Sequence, residues 1–302
     1  SYTANSATSS TTYIERGMTM KKKTLMANTI IIAFLTLIAV IILVPLIYTV
    51  LSSFKSNSEI MAHPEYFFPH SPTLQNYKDA MSSQEFNVPR MAWNSLYYSV
   101  ICTAASIITS SMAGYVFARS EFPGKKLIFS VFTGLMFIVL GGIAIYPQFE
   151  VINLLHLGNS LWGLIFIKIF SINIVGIVLI KSFIVSLPNA LDEAAEIDGC
   201  TFFQTYYRII VPLLKPVLAT LCILSFNSTW NDYLMPSIFT MSRPDQRPLI
   251  AGIVALKNTD QGAASWNLML AGSTVSIIPV LIVYIFANKY IIGGLATGAV
   301  KG

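Results

Sequence analysis

Long apolar runs dominate the pattern of hydrophobic and polar positions along this chain. Six windows of about 20 residues carry almost no charge, as membrane-crossing helices require; they cover residues 29–51, 93–118, 127–146, 161–180, 217–236 and 268–287. The runs are continuous, without the alternation of apolar and polar positions that membrane-spanning strands show. The sequence therefore predicts an all-α, polytopic integral membrane protein with six transmembrane helices.

Composition excludes several other classes of protein. Only 11% of the 302 residues are charged, whereas 54% are hydrophobic, and the mean hydropathy is +0.65. Soluble domains carry roughly 25% charged residues, and a globule of this size cannot hide so much apolar surface. A disordered chain needs low hydrophobicity, and three cysteines are too few for a disulfide scaffold. A membrane protein remains.

The positions of the 19 Lys and Arg residues predict the orientation. If the N-terminus is cytoplasmic, twelve of them lie on the cytoplasmic side and six outside, while Lys168 falls inside the fourth run. The positive-inside rule then favours a cytoplasmic location for both termini. The net charge of +5 is accounted for in this way, and no basic face for nucleic acid is apparent.

Two segments outside the runs have distinct characters. Residues 1–20 are rich in Ser and Thr without an apolar period, so they are expected to be disordered or introduced by cloning, and the membrane domain covers 21–302. The outer connection 52–91 is too long for a simple linker and is expected to form a small cap.

Residues 188–212 form an unusual cytoplasmic connection, which we call the coupling segment. Asn189 is expected to cap a short helix whose first turns are acidic, with Asp192, Glu193 and Glu196 suiting the positive end of the helix dipole. Asp198 is a fourth acid within seven residues. Gly199 is expected to stop that helix in the left-handed conformation, and a second helix over 201–210 should end before Pro212. Small alanines and exposed carboxylates favour docking of a partner with basic side chains. The alternative, a helix lying at the headgroups, is disfavoured because anionic lipids would repel these acids.

One motif in the coupling segment is specific. Glu193-Ala194-Ala195, three residues, Gly199, nine residues, Ile209, one residue and Val211-Pro212 resemble the EAA-x3-G-x9-I-x-LP signature of ABC importer permeases, with Val211 replacing the usual Leu. From about Lys21 onward the chain resembles the carbohydrate, or maltose-type, branch of that family. Other resembling stretches are Ser53-Phe54-Lys55, Asn94-Ser95, Trp230-Asn231-Asp232 and the ending Gly293-Gly294-Leu295-Ala296-x-Gly298-Ala299-Val300-Lys301-Gly302.

The resemblance implies the six-helix fold of type I ABC importer permeases, with a second, similar permease subunit, two ATP-binding subunits and an extracellular or periplasmic solute-binding protein as partners. Glu193 would pair with a basic residue of an ATP-binding subunit. The implied coupling residues are Glu193, Ala194, Ala195, Glu196, Asp198, Gly199 and Pro212, and the implied tail contacts are Gly298, Lys301 and Gly302. ATP and Mg would sit on the partner subunits, with no cofactor bound by this chain. It also lacks the phosphate-binding motif G-x4-G-K-[ST], so it is not expected to be an enzyme by itself.

The fifth run supplies candidate residues for a translocation path. Ser225, Ser228, Thr229 and Asp232 share one helix face, and Phe226, Trp230 and Tyr233 group on an adjacent one. Asn231 is a further polar candidate. Hydroxyls and a carboxylate next to flat aromatic rings suit a sugar. Alternatively, Asp232 caps or pairs within a permease heterodimer and Trp230 and Tyr233 belong to an interfacial belt. Lys168 is expected to pair or to reach the interface. No metal site is apparent.

Two questions stay open at this stage. The outer loop 237–266 either contacts a solute-binding protein, as the resemblance implies, or is simply solvated. The resemblance implies a permease subunit for ATP-driven import of a di- or oligosaccharide. The alternative is a secondary active transporter of a small polar solute, for which internal repeats or broken helices with ionisable groups at mid-membrane would be expected.

Overall fold

The computed structural model describes the backbone of residues 4–138, 141–258 and 265–299, and the side chains of 28–138, 142–257 and 265–289. Helices make up the regular structure of these ranges, as predicted. They are α1 (Ala4–Ser52), α2 (Asn57–Ala62), α3 (Gln75–Ser82), α4 (Val88–Arg119), α5 (Lys125–Leu135), α6 (Ile145–Leu154), α7 (Leu161–Phe170), α8 (Ile174–Val185), α9 (Ala190–Ile197), α10 (Phe202–Thr205), α11 (Val211–Leu213), α12 (Lys215–Trp230), α13 (Leu234–Phe239), α14 (Leu249–Ala255) and α15 (Trp266–Ala299).

Four stretches within the described ranges are long and apolar enough to cross a membrane: Asn28–Ser52, Val88–Arg119, Leu161–Val185 and Trp266–Lys289. The third combines α7 and α8, which are separated by the short break 171–173. A further candidate span is the pair Phe202–Leu213 and Lys215–Trp230, bent by 78°. The fifth predicted window, 217–236, therefore ends too late, because α12 stops at Trp230 and α13 follows a three-residue break.

The third predicted window, 127–146, is not one continuous helix. Its first part, α5, is 11 residues long and ends at Leu135, and a 3-10 turn, Gly141–Ala144, precedes α6. An 11-residue helix is too short to cross the hydrocarbon alone. Glycines at 134, 141 and 142 lower the helix propensity of this window. The prediction of one membrane-crossing helix over 127–146 is therefore not confirmed, and the described residues hold four candidate spans, or five with the bent pair, against the six predicted.

The N-terminal helix also differs from expectation. Helix α1 begins at Ala4, so most of the segment 1–20 that was predicted to be disordered is helical; residues 1–3 lie outside the described part. Extending an existing helix adds one hydrogen bond per residue without a new nucleation step. The strong apolar helix downstream can therefore propagate through these Ser- and Thr-rich turns.

Contacts between distant segments define two ends of the bundle, which we call outer and inner after the predicted orientation. At the outer end, Asn94 Nδ2 donates to the carbonyls of Asp245 (2.8 Å) and Arg247 (3.1 Å). At the opposite, inner end, Arg119 contacts residues 187–192. Helix α4 thus joins the outer loop to the coupling segment, and the predicted orientation places these two regions on opposite sides.

Helix α4 is also central to the packing. Its residues join three buried clusters, which centre on Met91 near the outer end, on Tyr98 and Cys102, and on Tyr115 near the inner end. At Gly114 a Cβ atom would lie 2.6 Å from Ile180 Cγ2, so α4 and α8 approach each other closely there. Such an approach leaves no room to shift α8 without shifting α4.

The described parts of the outer connections pack into the fold. In the cap 52–91, Asn76 Nδ2 donates to the carbonyls of Ser53 (2.7 Å) and Lys55 (2.8 Å), and Lys55, itself buried, donates to the carbonyl of Tyr66. In the described part of the loop 237–266, the side chain of Leu249 in α14 is fully buried. A simply solvated loop is therefore the wrong interpretation of this segment.

Candidate functional site

Helix α9 of the coupling segment ends at a glycine turn. Gly199 has φ +74°, and its N–H donates to the carbonyl of Glu196 (3.0 Å). The N–H of Cys200 donates to the carbonyl of Ala195 (2.9 Å). This pair of hydrogen bonds around a left-handed residue satisfies carbonyls that the helix leaves free. The predicted stop at Gly199 is confirmed.

The predicted docking residues of α9 differ in exposure. Glu193, Ala194 and Glu196 are exposed, as are Asp198 and Gly199 beyond the helix end. Ala195 is 1% exposed and packs against the rest of the chain. Ile197, in contrast, is 86% exposed. The helix therefore presents two carboxylates, a small residue and an unpartnered apolar side chain to its surroundings.

The start of α9 is held by a residue that sequence reasoning did not select. Asn189 makes no side-chain cap, contrary to expectation, because its Oδ1 accepts a hydrogen bond from Arg119 Nη1. Arg119 Nε also lies 2.8 Å from Asp192 Oδ2, and its Nη2 donates to the carbonyl of Leu187 (3.1 Å). We call this set of contacts the Arg119 clasp.

The second helix of the coupling segment is more irregular than predicted. Thr201 and Gln204 form a reciprocal cap at the start of α10, and a π-helical turn, Tyr206–Ile210, follows. Pro212 does not lie beyond a helix end but inside α11. The first turn of a helix tolerates proline because its N–H would have no partner there.

A cavity of about 550 Å³ opens beside α9 at the inner end. Its charged lining residues are Arg119, Glu121, Asp192, Glu193 and Glu196. The hydrogen bond that Lys125 donates, at 2.8 Å, lowers the pKa of Glu121 below its ordinary value. The acids outnumber the single arginine, so this opening favours a cationic side chain.

A second cavity, of about 410 Å³, lies between α4, α12 and the break separating α7 from α8; we call it the polar cavity. Asn173 in the break donates to Ser106 Oγ (2.8 Å), which lies 3.2 Å from Ser225 Oγ. Ser228 and Thr229 complete the hydroxyl face predicted for the fifth run. Non-helical backbone inside a membrane protein is tolerated where it lines such a cavity.

Lys168 and Asp232 form an ion pair close to this cavity. The Nζ–Oδ2 distance is 3.1 Å, and the Tyr98 hydroxyl donates to the same carboxylate oxygen at 3.2 Å. The two side chains are 32% and 15% exposed. The structure therefore shows Asp232 paired within this chain, and its Oδ1 also accepts a hydrogen bond from the N–H of Met235 (3.4 Å) at the start of α13.

The remaining candidates of the fifth run take different positions. Trp230 is 2% exposed, and its Nε1 donates to the carbonyl of Ser276 in α15 (3.1 Å), so it is not an interfacial belt residue. Asn231 and Tyr233 are exposed. In the predicted tail, Gly298 lies in α15, whereas Lys301 and Gly302 lie outside the described residues.

Removing one member of the Lys168–Asp232 pair should destabilise the protein. Asp232→Asn leaves an ammonium group without its counter-ion, a loss of about 1.5–3 kcal/mol for a hydrogen bond to a charged group. We expect a lower thermal unfolding midpoint for the purified protein. The double variant Lys168→Met/Asp232→Leu replaces both groups by apolar ones and should recover most of the loss; a double variant as unstable as the single one would contradict the pairing.

The chain was compared with known proteins. Residues 20–292 match the family model described as binding-protein-dependent transport system inner membrane component. The chain is 33% identical to the sulfoquinovosyl glycerol transport system permease protein SmoH of Agrobacterium fabrum, over 86% of this chain and 89% of that protein. It is 32% identical to the arabinooligosaccharides transport system permease protein AraQ of Halalkalibacterium halodurans, over 91% and 95%.

A solved structure agrees with the fold. The crystal structure of a bacterial ABC transporter involved in the import of the acidic polysaccharide alginate matches with a TM-score of 0.72 and 25% identity. The match covers 87% of this chain and 95% of that one. The similarity thus extends over nearly the whole chain, in sequence and in fold.

Proposed function

This chain belongs to the family of binding-protein-dependent transport system inner membrane components, and we propose that it is a permease subunit of an ATP-driven importer of a di- or oligosaccharide. The two relatives described above are named as permeases for carbohydrate substrates, and the similar solved structure imports a polysaccharide. The apolar helices long enough to cross a membrane support a place in the cytoplasmic membrane of a prokaryote.

The observation that carries the coupling role is the exposed helix α9. Its residues Glu193 and Glu196 are exposed, and both line the acidic cavity at the inner end. A basic side chain of an ATP-binding subunit would complement this surface. We propose Glu193 as the principal contact, with Ala194 allowing close approach of the partner and Gly199 setting the angle of the turn. Ala195, which is buried, and Pro212, which lies inside α11, would maintain the conformation of the segment.

The polar cavity is the proposed contribution of this subunit to the translocation path. The hydroxyls of Ser225, Ser228 and Thr229 offer donors and acceptors that sugar hydroxyl groups can use. A second, similar permease subunit would supply the other half of the path. Asn231 and Tyr233 are exposed and stay candidates, whereas Asp232 and Trp230 are engaged within the fold.

The other proposed partners follow from the two ends of the bundle. Two ATP-binding subunits, which would hold ATP and Mg, would dock at the inner end, where the tail residues Gly298, Lys301 and Gly302 would add contacts. A solute-binding protein would deliver the sugar to the cap and the outer loop. Closure of the ATP-binding pair would push α9 and, through it, the helices that line the polar cavity.

Reconstitution of the complete transporter tests this function. The chain is assembled in proteoliposomes with the second permease, ATP-binding subunits and solute-binding protein of its system, and uptake of a panel of radiolabelled neutral and acidic oligosaccharides is measured. We expect uptake to require both ATP and the solute-binding protein and to survive ionophores that collapse ion gradients. Uptake driven by an ion gradient without ATP would instead identify a secondary transporter and overturn the proposal.

A further inference from the structure

We propose that Arg119 is a positioning residue that transmits the movement of α9 to α4, so that the clasp links the ATP-binding side to the polar cavity. The proposal rests on the importer function proposed above. It concerns a residue outside the EAA motif and 68 positions before Leu187, the first residue that it contacts in this region.

The clasp braces a weak point in the chain. Helix α8 ends at Val185 and α9 begins at Ala190, so non-helical residues separate them. Such a break can bend, and a push on α9 would then be absorbed before it reached α8. Arg119 contacts the carbonyl of Leu187, the side chain of Asn189 and the carboxylate of Asp192. Together these three contacts restrain the break between α8 and α9.

The charges favour this geometry. Arg119 lies at the C-terminal end of α4, where the helix dipole is negative, and Asp192 lies in the first turn of α9, where it is positive. The side chain of Arg119 is 11% exposed and that of Asp192 is 25% exposed, so water screens their attraction less than it would at an open surface. A guanidinium group can bond in several directions within its plane, whereas lysine carries a compact point charge.

Helix α4 is suited to pass on a displacement. It is a single helix of 32 residues, about 48 Å long at 1.5 Å per residue. Along its length Ser106 lies in the wall of the polar cavity, and Asn94 holds the outer loop. A movement of its inner end therefore reaches both the cavity and the outer surface.

An accessibility measurement can separate transmission from docking. Ser228→Cys places a reporter at an exposed position of the polar cavity, in a chain whose native cysteines at 102, 200 and 222 are replaced by serine. The full complex is reconstituted with its ATP-binding subunits facing outward. The rate of labelling by a charged, membrane-impermeant methanethiosulfonate is then compared without nucleotide and with ATP and vanadate.

In the parent complex we expect ATP and vanadate to slow labelling by about fivefold or more. In Arg119→Gln the ATP-binding subunits should still co-purify and hydrolyse ATP, but the change in labelling should shrink below about twofold. Asp192→Asn removes one of the three clasp contacts and should have a smaller effect in the same direction. The double variant should be little worse than Arg119→Gln, because Arg119→Gln already removes the contact with Asp192. Arg119→Lys should be intermediate.

Lys126→Gln is the matched control, since Lys126 is an exposed cation at the same end and takes no part in the clasp. A full ATP-dependent change in Arg119→Gln would overturn the proposal. So would loss of the ATP-binding subunits in both Arg119→Gln and Asp192→Asn, which would make the clasp a purely structural contact. If the parent complex itself shows no ATP-dependent change, it is the importer function that fails.

Discussion

Replacement of Gly199 by leucine should lower ATP-dependent uptake about tenfold while the transmembrane helices remain inserted. Gly199 is left-handed, with φ +74°, and an L-residue in that conformation costs about 1–2 kcal/mol. A loss of this size changes the population of a local conformation by a factor of about 5–30. The turn between α9 and α10 would open, and the carboxylates of α9 would no longer point at the partner. Uptake and co-purification of the ATP-binding subunits measure the effect.

The cause of this effect can be isolated, because a Cβ atom at Gly199 would meet no other atom within 4 Å. Crowding therefore plays no part, and the conformation alone carries the cost. Asparagine tolerates the left-handed conformation, so Gly199→Asn should keep most of the activity. Gly134→Leu is the matched control, since its surroundings are equally open but its backbone is helical. Equal losses in Gly199→Leu and Gly199→Asn would contradict the argument.

Features that depend on local sequence were predictable. An apolar window of about 20 residues has few alternatives to a membrane-spanning helix, and a glycine that follows an acidic helix favours a left-handed stop. The predicted turn at Gly199 and the hydroxyl face of α12 were therefore found. The interruption of the third window could have been inferred from the low helix propensity of Gly134, Gly141 and Gly142. The prediction gave more weight to the hydropathy of the neighbouring residues.

Features that depend on contacts between distant residues were not predictable from one sequence. Nothing near Asn189 indicates that its side chain binds Arg119, 70 positions earlier, instead of capping α9. Trp230 is a residue type typical of the interfacial belt, and the sequence around it does not indicate otherwise. In the structure α15 covers it, and the carbonyl of Ser276 accepts its hydrogen bond. A polar residue has several candidate partners, and only the packing of the helices selects one. A basic residue ending a long apolar helix is the one local signal at Arg119.

Replacement of Glu193 by alanine should weaken binding of the ATP-binding subunits by about 10- to 100-fold. The carboxylate is exposed on α9, and a hydrogen bond to a charged group contributes about 1.5–3 kcal/mol, at about 1.4 kcal/mol per factor of ten. We expect the ATP-binding subunits to dissociate during purification and ATP-dependent uptake to fall in proportion. Quantitative co-purification and the affinity of the separated ATP-binding subunits for permease-containing membranes measure the effect.

Two controls show whether the effect belongs to the docking surface. Glu85→Ala removes an exposed carboxylate from the cap near the outer end of α4 and should leave binding of the ATP-binding subunits unchanged. Glu193→Gln keeps the shape of the side chain without its charge, so a loss close to that of Glu193→Ala would assign the contribution to charge. Raising the salt concentration should weaken the parent complex more than Glu193→Ala, because screening reduces only an attraction that is present. Unchanged uptake and unchanged co-purification in Glu193→Ala would exclude Glu193 as the coupling contact. The exposed Ile197 of α9 would then be the next side chain to alter, because the helix would dock through an apolar contact instead.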